Sequence, residues 1–449
     1  MLRNTMLDLL IRIDRDGGFS HLVIDNEIKR RNIKSQDRSL LTEVVYGTIE
    51  RKLTLDFWLK PFIQTNKKLD NWVKMLLQMS LYQMFFLDRI PAHAVIHEAV
   101  EIAKERGHQG IASFVNGVLR NIQRKGVRDP KEINDQVQRL VIETSHPQWL
   151  VERWIKHYDF TTTKNMCFAN IEKKSISVRI QPLKISRSEA MTRLSDQGFE
   201  VRPSLFSKQG IIIEKGNILE SPLLKEGMLT IQDQSSMLVA EMLQPQPGMK
   251  VLDACSAPGG KATHIAEKMQ NEGKVYAYDI HQKKIRLVTQ RADQLDLTII
   301  DAKQGDARKL QDFHEPESFD RILVDAPCSG LGVIRSKPEI KYQKSLTDIK
   351  RLATIQLDIL RHIAPLLKEG GKLVYSTCTV DVAENENVVK NFLLEHSEFN
   401  IDQEFFTALP EALRQYKGIS EYGLQIFPQS FQSDGFFLTR MIKTSKTRS

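Results

Sequence analysis

Apolar residues recur at helical spacing through the first quarter of the chain. Met6-Leu7-Asp8-Leu9-Leu10-Ile11 and Trp72-Val73-Lys74-Met75-Leu76-Leu77-Gln78-Met79 each lay an apolar stripe along one face of a helix. Ser35-Gln36-Asp37-Arg38 reads as a helix start and Pro91 as a break, and an amphipathic helix runs from His93 to about Gly107. Residues 1–126 therefore predict an all-α domain. A polar connection follows at 127–145, and His146-Pro147-Gln148-Trp149-Leu150-Val151-Glu152-Arg153-Trp154 opens a short helical stretch. Alternation in Ser175-Ile176-Ser177-Val178-Arg179-Ile180 predicts a strand, followed by a helix near 186–197 and strands at Phe199-Glu200-Val201 and Gly210-Ile211-Ile212-Ile213. This gives a linker and small α+β module over 127–230. From 231 to 449 short apolar runs alternate with helical patterns: Lys250-Val251-Leu252-Asp253, Lys274-Val275-Tyr276-Ala277-Tyr278-Asp279, Arg321-Ile322-Leu323-Val324-Asp325 and Lys372-Leu373-Val374-Tyr375-Ser376. That alternation predicts a mostly parallel, doubly wound α/β sheet.

Composition narrows the class. A chain of 449 residues has room for several domains, each with its own core, and 41 % hydrophobic content without low-complexity tracts is that of a globular protein. No apolar run is long enough to span a bilayer, and the charged first residues lack a signal-peptide layout, so a cytoplasmic protein is expected. Four cysteines are too few for a disulfide framework, and no Cys-x-x-Cys pair suggests a metal; His93 and His97, with no third ligand nearby, read as cap or packing residues. Reduced, functional thiols fit best. The formal charge of +8 is uneven: residues 1–230 hold 36 basic against 27 acidic side chains, residues 231–449 hold 28 against 29. Lys29, Arg30, Arg31, Lys34 and Arg38 form one basic cluster, and Arg120, Arg124, Lys125 and Arg128 a second. Charge alone leaves two readings open, a grip on nucleic-acid phosphates or a solvated surface. Trp149 and Trp154, at helical spacing, read as core more readily than as base-stacking platforms.

Chemistry concentrates in the last half. The turn Asp253-Ala254-Cys255-Ser256-Ala257-Pro258-Gly259-Gly260-Lys261 follows a strand, and its glycines let backbone approach a nucleotide-like cofactor at a helix start. The Gly-x-Gly-x-x-Gly spacing of a dehydrogenase is absent. Asp279 closes the next strand, where a carboxylate can hold ribose hydroxyls, and Asp306 in Gly305-Asp306-Ala307 suits an adenine edge. Each alone could be a turn cap; carboxylates at successive strand ends favour ligand binding. Two cysteines stand after later strands, Cys328 in Asp325-Ala326-Pro327-Cys328-Ser329-Gly330 and Cys378 in Tyr375-Ser376-Thr377-Cys378, and either thiol could attack a substrate ring. Cys255 and Cys167 read as small buried hydrophobes. Lys337, Lys341 and Lys344 read equally as phosphate contacts or as a solvated loop.

These motifs together resemble the RNA 5-methylcytosine methyltransferases that use S-adenosylmethionine (SAM), the family that includes the Nop2 and Sun proteins. Arg38-Ser39-Leu40-Leu41-Thr42-Glu43-Val44-Val45-Tyr46-Gly47-Thr48, Arg89-Ile90-Pro91-Ala92-His93 and Phe114-Val115-Asn116-Gly117-Val118-Leu119-Arg120 resemble the RNA-binding fold of the antitermination factor NusB. The resemblance implies a NusB-like bundle over 1–126 and a Rossmann-like SAM-dependent methyltransferase over 231–449. It implies that Cys255, Ser256, Ala257, Pro258, Gly259, Gly260, Lys261, Asp279, Asp306 and Asp325 bind SAM, with no metal. It implies Cys378 as the nucleophile and Cys328 as the thiol that assists release. On the chemistry of a cysteine–cytosine adduct, Asp325 is placed to hold the protonated N3 or the exocyclic amine of cytosine, its other reading being a strand-end turn cap. Spacing alone does not separate the two thiols, because DNA cytosine methyltransferases use a Pro-Cys cysteine. The expected substrate is 16S ribosomal RNA, free or in an assembling small subunit, acted on by a monomer. Transfer RNA as substrate, or a non-catalytic RNA-binding assembly factor, are the alternatives.

Overall fold

The computed structural model describes residues 2–17, 20–63 and 69–445, which form two compact units. One unit is helical. It comprises the chain up to Glu172 together with Ile334–Lys344. Helices Leu2–Asp16, Ser35–Glu50, Asn71–Phe86, Ala92–Arg106 and Gln109–Lys125 bury their apolar stripes in one core, among them Met6, Leu10, Val44, Leu76, Leu77 and Leu119. The helix starts expected at Ser35 and just after Pro91 are where the sequence signals put them. The stretch read as a polar connection holds a further helix, Gln136–Thr144. Asp135 caps it by accepting from the Gln138 amide at 2.8 Å, and Leu140 and Val141 are buried on its inner face. Trp154 is fully buried beside the His146 ring. Both basic clusters lie at the surface, although Arg30 and Arg31 pair with Glu27 and Arg128 lies over the Phe57 ring.

Ile334–Lys344 is sewn into this unit by its own side chains. Glu339 accepts from the amide and hydroxyl of Ser20 at 2.9 and 2.8 Å, and the Tyr342 hydroxyl donates to the Ser145 carbonyl at 2.8 Å. Lys341 is buried, its Nζ donating to the Glu50 carbonyl at 2.9 Å, and burial pulls its ammonium down to about 7. It is therefore neither a phosphate contact nor part of a solvated loop.

The second unit, Lys173–Val333 with Ser345 onward, carries both sheets. Strands β1 (Ile176–Ile180), β2 (Glu200–Pro203), β3 (Gly210–Lys215) and β4 (Leu229–Ile231) form an antiparallel sheet in the order β2-β3-β1-β4, packed on helix Arg187–Asp196. The large sheet contains β5 (Lys250–Asp253), β6 (Lys274–Asp279), β7 (Ile300–Gln304), β8 (Phe319–Asp325), β9 (Leu367–Thr377), β10 (Phe399–Ile401), β11 (Ile419–Ser420), β12 (Gly423–Ile426) and β13 (Phe436–Lys443). Its order is β11-β12-β13-β9-β8-β5-β6-β7, with β10 against β13. Strands β5 to β9 are parallel, and the last four are antiparallel. The chain steps outward from β5 to β7 and then crosses back to β8, so the strand order reverses between β5 and β8. In an open α/β sheet, ligands bind outside the carboxyl ends of the strands at such a reversal.

Arg179 of β1 ties the small sheet to this edge. Fully buried, it grips Glu267 through Nε and Nη2 at 2.7 and 2.8 Å and donates to the Gly260 carbonyl at 3.0 Å, at the start of helix Gly260–Lys268. Truncating one partner of a buried pair leaves the other charge uncompensated. Arg179→Leu is therefore expected to lower the unfolding free energy by about 3–5 kcal/mol, read from the urea midpoint.

Candidate active site

The turn after β5 is shaped by backbone bonds. The Ser256 amide donates to the Tyr278 carbonyl and the Gly259 amide to the Ser256 carbonyl, each at 2.7 Å. Gly259 has φ of +95°, and a Cβ there would stand 3.0 Å from the Val288 Cα, so only glycine fits. Helix Gly260–Lys268 starts here, and Gly259 offers no side chain to cap its first amides.

The predicted carboxylates converge on the same edge. Asp279 ends β6 and accepts from the His281 amide at 2.9 Å. Asp306 caps the short helix Ala307–Asp312 and pairs with Arg308 at 2.6 Å, which holds its carboxyl below the usual range. Asp253 is fully buried, and neither of its oxygens closes a hydrogen bond; burial and then the Asp325 charge push it up to about 7. Burial, followed by Asp253, Asp325, Asp279 and Asp306, drives the half-buried Cys255 thiol well above its ordinary value. Four carboxylates thus act on one point of the glycine turn. Cys167, by contrast, is buried in helix Phe160–Ala169, where burial raises its thiol to about 12.

Asp325 ends β8 with both oxygens engaged, Oδ2 by the Lys261 ammonium at 2.7 Å and Oδ1 by the Ser376 hydroxyl at 2.8 Å. Burial works against the Lys261 charge, but Asp325, then Cys378 and Asp253, outweigh it and raise its affinity for the proton. Its ammonium also lies 5.5 Å from the centre of the Phe436 ring. The sequence reading placed Lys261 in the cofactor turn; its charged end points to Asp325.

Cys328 and Cys378 stand with their sulfurs 3.3 Å apart, each half-buried. Their loops are bonded side by side. The Ala326 amide donates to the Ser376 carbonyl at 2.9 Å, the hydroxyls of Ser329 and Thr379 meet at 2.8 Å, and the Gly332 amide donates to the Cys378 carbonyl at 2.9 Å. Any Cβ on Gly332 would sit 1.9 Å from the Gly435 carbonyl oxygen. The bond to Cys378, then burial, holds the Cys328 thiol well above its ordinary range; either sulfur can donate in the bond between them.

Sequence reasoning missed Ser376, Phe436, Glu384 and Gln356, which support these groups. Ser376 alone carried a local signal, standing two residues before Cys378 at the end of a strand. The others reach the site only through the fold.

Comparison with known proteins agrees with this architecture. Residues 240–442 match the family described as 16S rRNA methyltransferase RsmB/F, residues 2–124 the NusB family, and residues 146–219 the ferredoxin-like domain of RsmF/B-like methyltransferases. A Bacillus subtilis protein described as "Probable ribosomal RNA small subunit methyltransferase B" is 48 % identical over 98 % of both chains. The crystal structure of PH0851 aligns with 98 % of this chain and 97 % of that one at a TM-score of 0.81 and 25 % identity. A methyltransferase homolog from Pyrococcus horikoshii aligns with 69 % of this chain and all of its own at a TM-score of 0.59 and 25 % identity. With a NusB-like bundle, a ferredoxin-like module and a Rossmann-like methyltransferase fold in one chain, and near-full-length identity of this degree, the protein belongs to the ribosomal RNA small subunit methyltransferase B family.

Proposed function

We propose that the protein methylates carbon 5 of one cytosine in 16S ribosomal RNA, using SAM and a covalent bond from Cys378 to the base. The observation that carries this reading is the thiol pair, 3.3 Å apart beside the Lys261–Asp325 ion pair. The glycine turn fits SAM on its own chemistry. Four carboxylates around Cys255 suit a ligand with a cationic sulfonium and ammonium, and the buried Asp253 oxygens and Ser256 hydroxyl lack hydrogen-bond partners that a polar ligand could supply. Cys255 to Lys261, Asp279, Asp306 and Asp325 would hold it. When bound, SAM supplies an electrophilic methyl group.

Carbon 5 of cytosine is a poor nucleophile until a thiolate adds to carbon 6. Cys378 suits that role: its sulfur lies 3.3 Å from that of Cys328, and the Lys261 charge favours its anion. As the carbon–sulfur bond forms, the ring electrons move toward carbon 5 and N3 takes a proton from solvent. Asp325, held in place by Lys261 and Ser376, would accept a hydrogen bond from N3–H or the exocyclic amine and stabilise that adduct. After methylation carbon 5 carries one hydrogen too many. A water oriented by the Cys328 thiol would take that proton; the carbon–sulfur bond then breaks, the ring double bond returns, N3 gives its proton back to solvent and Cys378 leaves as thiolate. The base must be unpaired or flipped to reach these groups. The exposed basic clusters of the helical unit support a polyanionic substrate, and among the described residues no helix is long and apolar enough to cross a membrane.

Incubating wild type, Cys328→Ala and Cys378→Ala with small-subunit rRNA and SAM tests this reading on a denaturing gel and by nucleoside mass spectrometry. Wild type should yield 5-methylcytidine, Cys328→Ala should accumulate a protein–RNA band, and Cys378→Ala should give neither band nor product. A band trapped by Cys378→Ala would reverse the roles.

A second prediction concerns pH. Asp253 binds its proton more tightly folded than unfolded, so its contribution to stability is full below about pH 4 and is lost as pH rises toward 7. Between pH 5 and 8 the ligand-free protein should lose stability from this group, at most about 3 kcal/mol, and Asp253→Asn should flatten that part of the urea-midpoint profile.

A further inference from the structure

We propose that Glu384, acting with Gln356, is a positioning residue that fixes Cys328 against Cys378 and so governs release of the enzyme from its product. This rests on the cysteine chemistry proposed above. Glu384 lies fully buried in the turn between Cys378 and helix Glu386–Glu395. Its Oε2 accepts from the Ser329 amide at 2.8 Å and from the Gln356 Nε2 at 2.9 Å, and the same Nε2 donates to the Pro327 carbonyl at 2.9 Å. The residues on either side of Cys328 are therefore held by one carboxylate–amide pair, while the thiol between them faces Cys378. The Glu384 carbonyl in turn accepts from the Tyr375 hydroxyl at 2.6 Å, three residues before Cys378. One residue spans both cysteine loops, through its side chain to one and its backbone to the other.

A purely space-filling role does not account for the carboxylate. Burial raises its affinity for the proton, and Oε1 has no hydrogen-bond partner, so the charge sits at a cost that an apolar side chain would avoid. What a carboxylate provides is an acceptor for a loop amide and a negative charge directed at Cys328, where it is one of the charges keeping that thiol protonated. Gln356 stands on helix Leu346–Ile363, so the clamp is completed from a third element, and it too is fully buried.

The test compares wild type, Glu384→Ala, Glu384→Gln and Gln356→Met as full chains with small-subunit rRNA and SAM. Turnover, KM for RNA, thermal midpoint and the fraction of protein in the denaturation-resistant RNA adduct are measured for each. With Cys328 loosened, Glu384→Ala should lose at least about tenfold in turnover with KM within about twofold, while its adduct fraction rises above wild type. Glu384→Gln keeps the acceptor for the Ser329 amide and should regain most of the turnover, with an altered pH profile because the charge facing Cys328 is gone. Gln356→Met, which keeps the Glu384 carboxylate, should raise the adduct fraction in the same direction even if Glu384→Ala folds poorly. Turnover and adduct that fall together with the thermal midpoint, or a change confined to KM, would overturn the proposal. A wild type that makes adduct and product while Gln356→Met matches it on every readout would overturn the clamp and leave the cysteine chemistry intact; a wild type that makes neither overturns both.

Discussion

Lys261 and Asp325 close an ion pair at 2.7 Å between the glycine turn after β5 and the end of β8. The two side chains are only 15 and 27 % exposed, so the charges meet where water screens them weakly. The pair spans the point where the strand order reverses, and both halves of the chemistry hang on it. On one side the Lys261 backbone opens the helix that follows the glycine turn; on the other Asp325 leads into the Cys328 loop. Arg179 braces the same helix through the Gly260 carbonyl, so the small sheet supports the glycine turn.

The two thiols differ because their surroundings differ, and the difference is built mainly by backbone contacts. Direct bonding from β8 to β9 brings the loops into register, and the missing side chain at Gly332 lets them close. Cys328 is then left facing Cys378 with Glu384 and Asp325 as negative neighbours, while the electrostatic partner of Cys378 is Lys261. Across 3.3 Å the two sulfurs thus face different charges, carboxylates against Cys328 and an ammonium against Cys378.

The sequence was most legible where function is local. The glycine turn, Asp279, Asp325 and both cysteines follow strand ends that short apolar runs already mark, and the sheet gathers them at one edge. Helix starts at Ser35 and after Pro91 were equally readable, because capping and proline signals act within a few residues. Legibility failed where a polar side chain acts far from its own segment. Lys341 read equally as a phosphate contact or a solvated lysine, yet it is buried against the Glu50 carbonyl, almost three hundred positions away in sequence, as its hydrogen bond records. Arg179 sat in an alternating strand with nothing to announce its carboxylate partner on another element. Glu384 and Gln356 belong to the same class, since only the fold brings them to either side of Cys328. Helix Gln136–Thr144 was missed for a different reason: it is short, and its buried face is narrow enough to be hidden among polar residues.

The most direct test of the central claim is to identify which sulfur bonds to the base. Small-subunit rRNA carrying 5-fluorocytidine, incubated with wild-type protein and SAM, cannot lose its carbon 5 substituent as a proton, so the covalent adduct persists and can be digested and mapped by mass spectrometry. The account predicts a nucleotide on the peptide containing Cys378, with Cys328 still free to react with iodoacetamide. A nucleotide on Cys328, or both thiols free after the incubation, would contradict it.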